Sequence, residues 1–453
     1  MLNKKIKVIL KYLLIVILFG YFFVTLFPKT NFFYLHPDEH EYVRRSIYFD
    51  LLLKKDFQHP YWQTWEAYDQ SQLEVYLYGL YFHLTGVDDI SQYLESYQFN
   101  FPWKVKDWEN DMRSSDNWWR KYTYQPLKQI PPEVFFRMTP ILRLRKMAFI
   151  ISFLTLVVFF LIGKKLKGWL FGFISVFLLF QHPLFAPSTL KVMLEPSLLF
   201  FTLLNFLVFL YFIESFKNQS GFRKKSFLAL ILGLTAALAA SSKLTGGISF
   251  IYSLSLLLGL MVYNLLIVKK GKLGQFSLLF LLIVAGFTLF FYLLTPFIWS
   301  NPIKKTYFMI SHQLDLAKRQ QSYLSLADQA LNGIKEKGLA VYENLFSRTG
   351  RFRTFDRISR KGKGFLLDPF LFIIGIFLVF KKTIVKFKLK QNLGKSFGLL
   401  LWAVTLFFWT TLYIHMDWDH YYLPLVPSII LCQALALEFL GKKIILIIKR
   451  EIK

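Results

Sequence analysis

The sequence predicts an all-α membrane protein with about ten transmembrane helices and a large extracytoplasmic loop after the first. Three observations predict it. Apolar residues fill 55% of the 453 positions and charged residues only 18%, where a soluble domain carries roughly a quarter charged. The apolar residues gather into ten nearly uncharged runs, most of them close to the ~20 residues that a helix needs to cross ~30 Å of hydrocarbon. Basic residues then cluster at every second interval between runs, the pattern of a chain threaded back and forth through a membrane.

In order, the runs are Val8–Phe27, Met147–Gly163, Trp169–Phe185, Val192–Ile213, Phe227–Ala240, Gly247–Val268, Phe276–Trp299, Phe365–Phe380, Phe397–Ile414 and Tyr421–Leu440. Phe227–Ala240 is short, which suggests a broken or tilted span. The first run lacks a small-residue cleavage site and more spans follow it, so it reads as a retained anchor. The even intervals and the two termini hold 24 Lys or Arg, against only Glu214 and Glu451. The positive-inside rule puts both termini in the cytoplasm. The Lys- and Phe-rich composition favours a prokaryotic plasma membrane.

That topology accounts for much of the +27 net charge, so the chain is not read as a nucleic-acid binder. Two long outer segments remain within a single polytopic domain, residues 1–453. Residues 28–140 hold 16 of the 28 acids and 12 Lys or Arg; residues 300–364 hold 13 Lys or Arg against five acids. An acidic loop beside a basic one suits a site that handles a hydroxyl and an anion together, although ordinary solvated loops share this pattern. The one cysteine, Cys432, lies in the last span, so no disulfide staples the loops. Trp103, Trp108, Trp118, Trp119, Tyr122 and Tyr124 read as an interfacial belt on one or two amphipathic helices.

No span has an ionisable residue near its centre. Glu195, Lys243 and Glu438 stand at span ends. Ion-coupled transport generally needs a charge at mid-membrane, which argues against a transporter or flippase and puts any chemistry at the outer interface. The segment after the first span, His36-Pro37-Asp38-Glu39-His40-Glu41-Tyr42, reads as a helix start. Asp38 and Glu39 either cap that helix and complement its dipole or meet a substrate. His36, Glu39 and His40 match no strong zinc spacing.

An Asp-Glu pair just beyond a first span resembles the GT-C superfamily of polytopic glycosyltransferases. Within it, the resemblance is to the branch of dolichyl-phosphate-mannose–protein mannosyltransferases and bacterial aminoarabinose transferases. Residues 76–86, YLYGLYFHLTG, resemble the family's segment after a Pro-Pro pair, although Gln70-Ser71-Gln72 stands where those prolines are often found. Val192-Met193-Leu194-Glu195-Pro196-Ser197 resembles the outer acidic motif opening the fourth span. Residues 233–246, ending in Lys243-Leu244-Thr245-Gly246, resemble a small-residue helix that ends in Lys. His420-Tyr421-Tyr422-Leu423-Pro424-Leu425 resembles the stretch before the last helix, with His420 in place of Arg.

The resemblance implies an inverting transfer of a sugar from a polyprenyl-phosphate donor to a hydroxyl on a lipid, glycan or protein acceptor at the outer membrane face. It makes Asp38 the base, with Glu39 orienting the acceptor or sharing the role, and assigns Glu195 to the acceptor or a divalent metal. Lys243, His420 and the basic run Arg348, Arg351 and Arg353 become candidates for the donor phosphate. No other cofactor is expected. A polysaccharide polymerase is the further alternative; it would leave the early Asp-Glu pair unexplained.

Overall fold

The computed structural model describes residues 4–31, 33–36, 38–93, 130–131, 137–218, 220–267, 273–322, 329–347, 367–389 and 394–451. The expected aromatic belt from Trp103 to Tyr124 and the run Arg348, Arg351 and Arg353 lie outside the described residues. Helices dominate. The one β-type pairing among the described residues is an isolated antiparallel bridge between Ala330 and Met416.

In chain order the helices are α1 (Lys4–Leu26), α2 (Asp38–Arg45), α3 (Ile47–Leu53), α4 (Trp65–Asp69), α5 (Leu73–Leu84), α6 (Thr139–Lys167), α7 (Trp169–Phe180), α8 (Phe185–Thr189) and α9 (Glu195–Lys217). There follow α10 (Phe222–Ser242), α11 (Ile248–Val262), α12 (Leu273–Leu293), α13 (Pro302–Ser322), α14 (Ile334–Tyr342), α15 (Leu367–Lys388), α16 (Lys395–Tyr413) and α17 (Val426–Glu451).

Every predicted apolar run overlaps one of these helices, and among the described residues eight segments are long and apolar enough to cross a membrane. The two remaining runs miss for different reasons. The third stops being helical at Phe180, because Gln181-His182-Pro183 turns the chain before α8; its 12 residues extend only about 18 Å. The eighth, α15, is 22 residues long but carries Asp368, Lys381, Lys382, Lys386 and Lys388. The run expected to be broken, Phe227–Ala240, is instead the middle of an unbroken 21-residue helix, α10. Arg223, Lys224 and Lys225 form its first turn, and Ser241 and Ser242 its last.

Between lipid-facing helices the hydrophobic effect gives little, so association rests on close packing and small residues. The α10–α12 contact shows this. A Cβ placed on Gly233 would overlap the carbonyl oxygen of Ile283, and one on Gly286 would stand 2.7 Å from that of Leu230. Aromatic stacking adds to the core, as where Phe206 lies 4.2 Å from the Trp402 indole.

Buried residues form two hydrophobic clusters. The larger is the helix bundle itself. The smaller is a cap built from α2, α3, α5 and the flanking turns, with Leu35, Tyr48, Trp62, Tyr78 and Phe82 at its centre. The cap core also takes in Ile141 and Leu144 at the start of α6 and Val192–Leu194 just before α9. One end of the bundle is therefore covered, and α6 and α9 both begin there. At the other end α6 finishes in Lys164, Lys165 and Lys167.

Candidate active site

The Asp38–Glu39 turn sits in the seam between cap and bundle. Glu39 is fully buried, and both of its oxygens are saturated. Oε1 accepts from Arg145 Nε at 2.7 Å and from the Val192 amide at 3.0 Å. Oε2 accepts from Arg145 Nη2 at 2.6 Å and from the His36 amide at 2.9 Å. Arg145 is also fully buried, and its remaining N–H groups reach the carbonyls of Thr30, Phe33 and Tyr34 at 3.0–3.1 Å. A guanidinium has five donors, and all five are used. Burial would raise the Glu39 pKa, but Arg145 and the two amides outweigh it and hold the carboxyl below its usual range. Glu39 is thus a carboxylate locked in place.

Asp38, its neighbour, is 28% exposed and opens α2. Its amide donates to His36 Nδ1 at 3.2 Å. Burial pushes the His36 pKa down to about 3, so the ring is neutral at pH 7 and Nδ1 acts as an acceptor. The 3.7 Å approach of that nitrogen to Asp38 Oδ2 is therefore no ion pair.

Glu195 begins α9, and Lys243 caps the C-terminus of α10 in an extended conformation. The two helix ends meet: Lys243 Nζ donates to Glu195 Oε1 at 2.7 Å. Gln70-Ser71-Gln72, the departure from the family pattern, straps this junction. Ser71 Oγ donates to the Ala240 carbonyl at 2.6 Å, and Gln72 Nε2 ties the carbonyls of Glu66, Ala67 and Gln70 at 3.0 Å. His420 stands in the 3₁₀ turn before α17, its ring 6.3 Å edge-on from His36 and 4.7 Å from Tyr421. The structure thus brings Asp38, Glu39, Glu195, Lys243 and His420 to the same end of the bundle.

A cleft starts there, with Lys243, His420 and Tyr421 at its polar side. Leu198 and Thr202 of α9, Ile248 of α11, and Trp409 and Tyr413 of α16 line the rest. The mix is what an isoprenoid chain with an anionic head asks for: apolar and aromatic walls with cationic or polar groups at one end.

The second long segment between spans is anchored beside it. Asn344 Nδ2 donates to Asp417 Oδ1 at 2.7 Å, as does Tyr422 Oη. The Leu331 amide reaches the His415 carbonyl at 2.9 Å, and that of Asp417 reaches the Gln329 carbonyl at 2.8 Å.

Three buried ionisable residues at this end escape the sequence reading. Arg145 is one. Its signal was present: Arg143, Arg145 and Lys146 stand at the end of a span opposite the main basic clusters, where the charge rule expects few basic residues. Glu74 of α5 is another. It is wholly buried, and burial raises its pKa to about 8, opposed by Ser197 and Tyr78. The Tyr78 hydroxyl already donates to the Met193 carbonyl at 2.8 Å, so a protonated Glu74 fits beside it better than an anion would. Lys191 is the third. A metal is not favoured by these groups, since Glu195 already faces an ammonium and no cluster of three or more acids, histidines or cysteines suits a cation among the described residues.

Residues 117–301 match the family model described as dolichyl-phosphate-mannose-protein mannosyltransferase. The chain is similar in structure to ArnT from Cupriavidus metallidurans in the apo state, at 12% identity and a TM-score of 0.50, covering 95% of this chain and 62% of that one. The chain shares the fold of that structure. The same ArnT bound to undecaprenyl phosphate matches at 12% identity and 0.50, over 93% of this chain and 60% of that one. The oligosaccharyltransferase of Archaeoglobus fulgidus in complex with Zn and sulfate matches at 15% identity and 0.50, over 91% of this chain and 46% of that one. The chain thus spans about three fifths of the ArnT length and about half of the oligosaccharyltransferase. No curated protein matches it in sequence.

Proposed function

We propose that the protein is an inverting glycosyltransferase that moves a sugar from a polyprenyl-phosphate donor to a hydroxyl acceptor at the extracytoplasmic membrane face. The observation that carries this reading is a partly exposed carboxylate, Asp38, within electrostatic reach of Tyr421 at the polar head of an apolar cleft that also holds Lys243 and His420. The matched family model and the oligosaccharyltransferase neighbour are both named for sugar transfer. An ArnT neighbour is described with undecaprenyl phosphate bound. The clustering of basic residues at the opposite end of the bundle supports the outward orientation of the site.

In the proposed reaction the acceptor oxygen attacks the anomeric carbon from the face opposite the phosphate. The O–C bond forms as the bond to the phosphate oxygen breaks. The hydroxyl proton passes to Asp38, and the polyprenyl phosphate leaves with the bonding electron pair. Asp38 suits the base because it is the more open carboxylate; Glu39, with four N–H donors on it, suits holding the turn. Lys243 and His420 face the leaving phosphate, where charge grows in the transition state. Arg348, Arg351 and Arg353 are candidates for the same phosphate, since their segment follows Asn344. Glu195, paired with Lys243, contributes to the acceptor side.

The test is transfer by the purified protein in detergent, using radiolabelled polyprenyl-phosphate sugars and membrane-derived acceptors. Asp38→Asn should lower turnover by about 10²–10⁴-fold, the usual span for a general base, with donor binding kept. Undiminished turnover in that variant would move the base elsewhere. Failure of every donor with the parent protein would remove the reading.

A further inference from the structure

Each cation buried at the capped end has a carboxylate partner, with one exception. Arg45 pairs with Glu41 at 2.8 Å, Arg145 with Glu39 at 2.6 Å and Lys243 with Glu195 at 2.7 Å. Lys191, in the link between α8 and α9, is 3% exposed, yet no carboxylate stands within ion-pair distance and no hydrogen bond engages its ammonium among the described residues. What holds it is an aromatic face: Nζ lies 3.7 Å from the ring centroid of Tyr34. An ammonium removed from water without a counter-ion is unfavourable unless something replaces its solvation, and a cation–π contact supplies only part.

Its surroundings point to what replaces it. Asp38, Glu39 and Asp419 lie within electrostatic reach, with Arg145 opposing them. Both His36 and His420 feel Lys191, and His420 feels Lys243 as well. Lys191 and Lys243 are thus both within electrostatic reach of His420, which lines the head of the cleft. Lys243 is already neutralised by Glu195. Lys191 is not.

We infer that Lys191 is the cation that receives the phosphate of the lipid-linked donor, with Lys243 held in place by Glu195. The inference rests on the donor reading proposed above and adds the group that meets the anion. In the ground state the donor phosphodiester has one negative charge; cleavage of the sugar bond leaves a phosphomonoester with more. An ammonium fixed on an aromatic ring and short of hydrogen bonds strengthens its contact as that charge grows.

The experiment measures binding of undecaprenyl phosphate, undecaprenol and inorganic phosphate to the purified full-length protein in nanodiscs, with thermal unfolding recorded alongside. The parent should prefer undecaprenyl phosphate to both other probes. Lys191→Met should weaken undecaprenyl phosphate by at least about tenfold, the loss expected for one charge-assisted contact, and leave undecaprenol unchanged. Lys191→Arg should retain most of the affinity, and Lys191→Gln serves if the Met variant does not fold. Unchanged phosphate-over-alcohol preference in folded Lys191→Met or Lys191→Gln overturns the inference and leaves the donor reading standing. A parent that binds undecaprenol or inorganic phosphate as tightly as undecaprenyl phosphate overturns both.

Discussion

The two ends of the bundle carry ion pairs of opposite character. At the capped end the paired groups are nearly inaccessible: Arg145 and Glu39 at 0%, Glu195 at 2% and Lys243 at 13%. At the far end Lys165 and Lys395 converge on Glu214, and Lys167 and Lys442 on Glu438, with side chains from 13% to 67% exposed. Exposed pairs contribute little, because water and salt screen them. Buried pairs contribute little net stability either, yet breaking one leaves an uncompensated charge in a dry place. The far end needs only its positive sign. The capped end needs particular partners at particular distances, and so has exact requirements that composition alone does not express.

The sharpest way to break this contrast is to remove Arg145. Arg145→Met strands Glu39 and frees three carbonyls, and should destabilise the protein by about 3–5 kcal/mol, read as a fall in the unfolding midpoint in detergent. Pairing it with Glu39→Gln should recover part of that loss, since no buried carboxylate then lacks a partner. A single-variant loss no larger than that from a far-end substitution would erase the distinction.

Lys243→Met should cost less, about 2–3 kcal/mol, because the lysine of this pair is 13% exposed and water can partly solvate the group left behind. Lys243→Met with Glu195→Gln should restore the melting temperature toward the parent value and leave turnover low. Recovery of turnover in the double variant would make the pair purely structural.

A smaller effect separates the ends by pH. Burial lowers the Lys191 pKa from 10.5 to about 8. Its folded pKa lies below its unfolded one, so the protonated form disfavours the empty fold. The Lys191 contribution to stability therefore rises as pH climbs from about 8 toward 10.5. Donor affinity should run the other way, falling above pH 8 as the ammonium is lost. Parallel pH series of unfolding and of undecaprenyl phosphate binding, with Lys191→Met as the control, would show both slopes vanish in the variant.

The smallest effect belongs to the far end. Lys165→Ala should shift stability by less than about 1 kcal/mol and leave turnover unchanged; a loss matching that of Arg145→Met would show the two ends to be alike.

Much of this fold could be read in the sequence because hydrocarbon imposes a coarse rule, and long apolar runs satisfy it whatever their neighbours do. That rule is blind to interruptions that the tertiary structure tolerates. Pro183 marks the end of α7 plainly, but the apolar residues on both sides of it read as one span. Phe227–Ala240 looked short because Arg223–Lys225 and Ser241-Ser242 are polar, and a helix inside a protein does not stop at polarity. At the site, Asp38, Glu195, Lys243 and His420 stand in short motifs whose order can be followed along the chain. Arg145, Lys191 and Glu74 cannot be found that way. What distinguishes them is the absence or presence of a partner across the fold, as with Arg145 and Glu39, 106 positions apart. Local sequence records neither.

The bond from the Val192 amide to Glu39 has a consequence for biogenesis. It joins residues 153 positions apart, on either side of the second and third apolar segments. When the ribosome has delivered α1 and the Asp38–Glu39 turn, the guanidinium that locks the turn has not yet been translated, and the backbone that completes it comes later still. The geometry of this candidate site is therefore a late product of synthesis: the second and third apolar segments must both be made, and α6 and the lead-in to α9 must converge, before the first acidic residues take up their final positions.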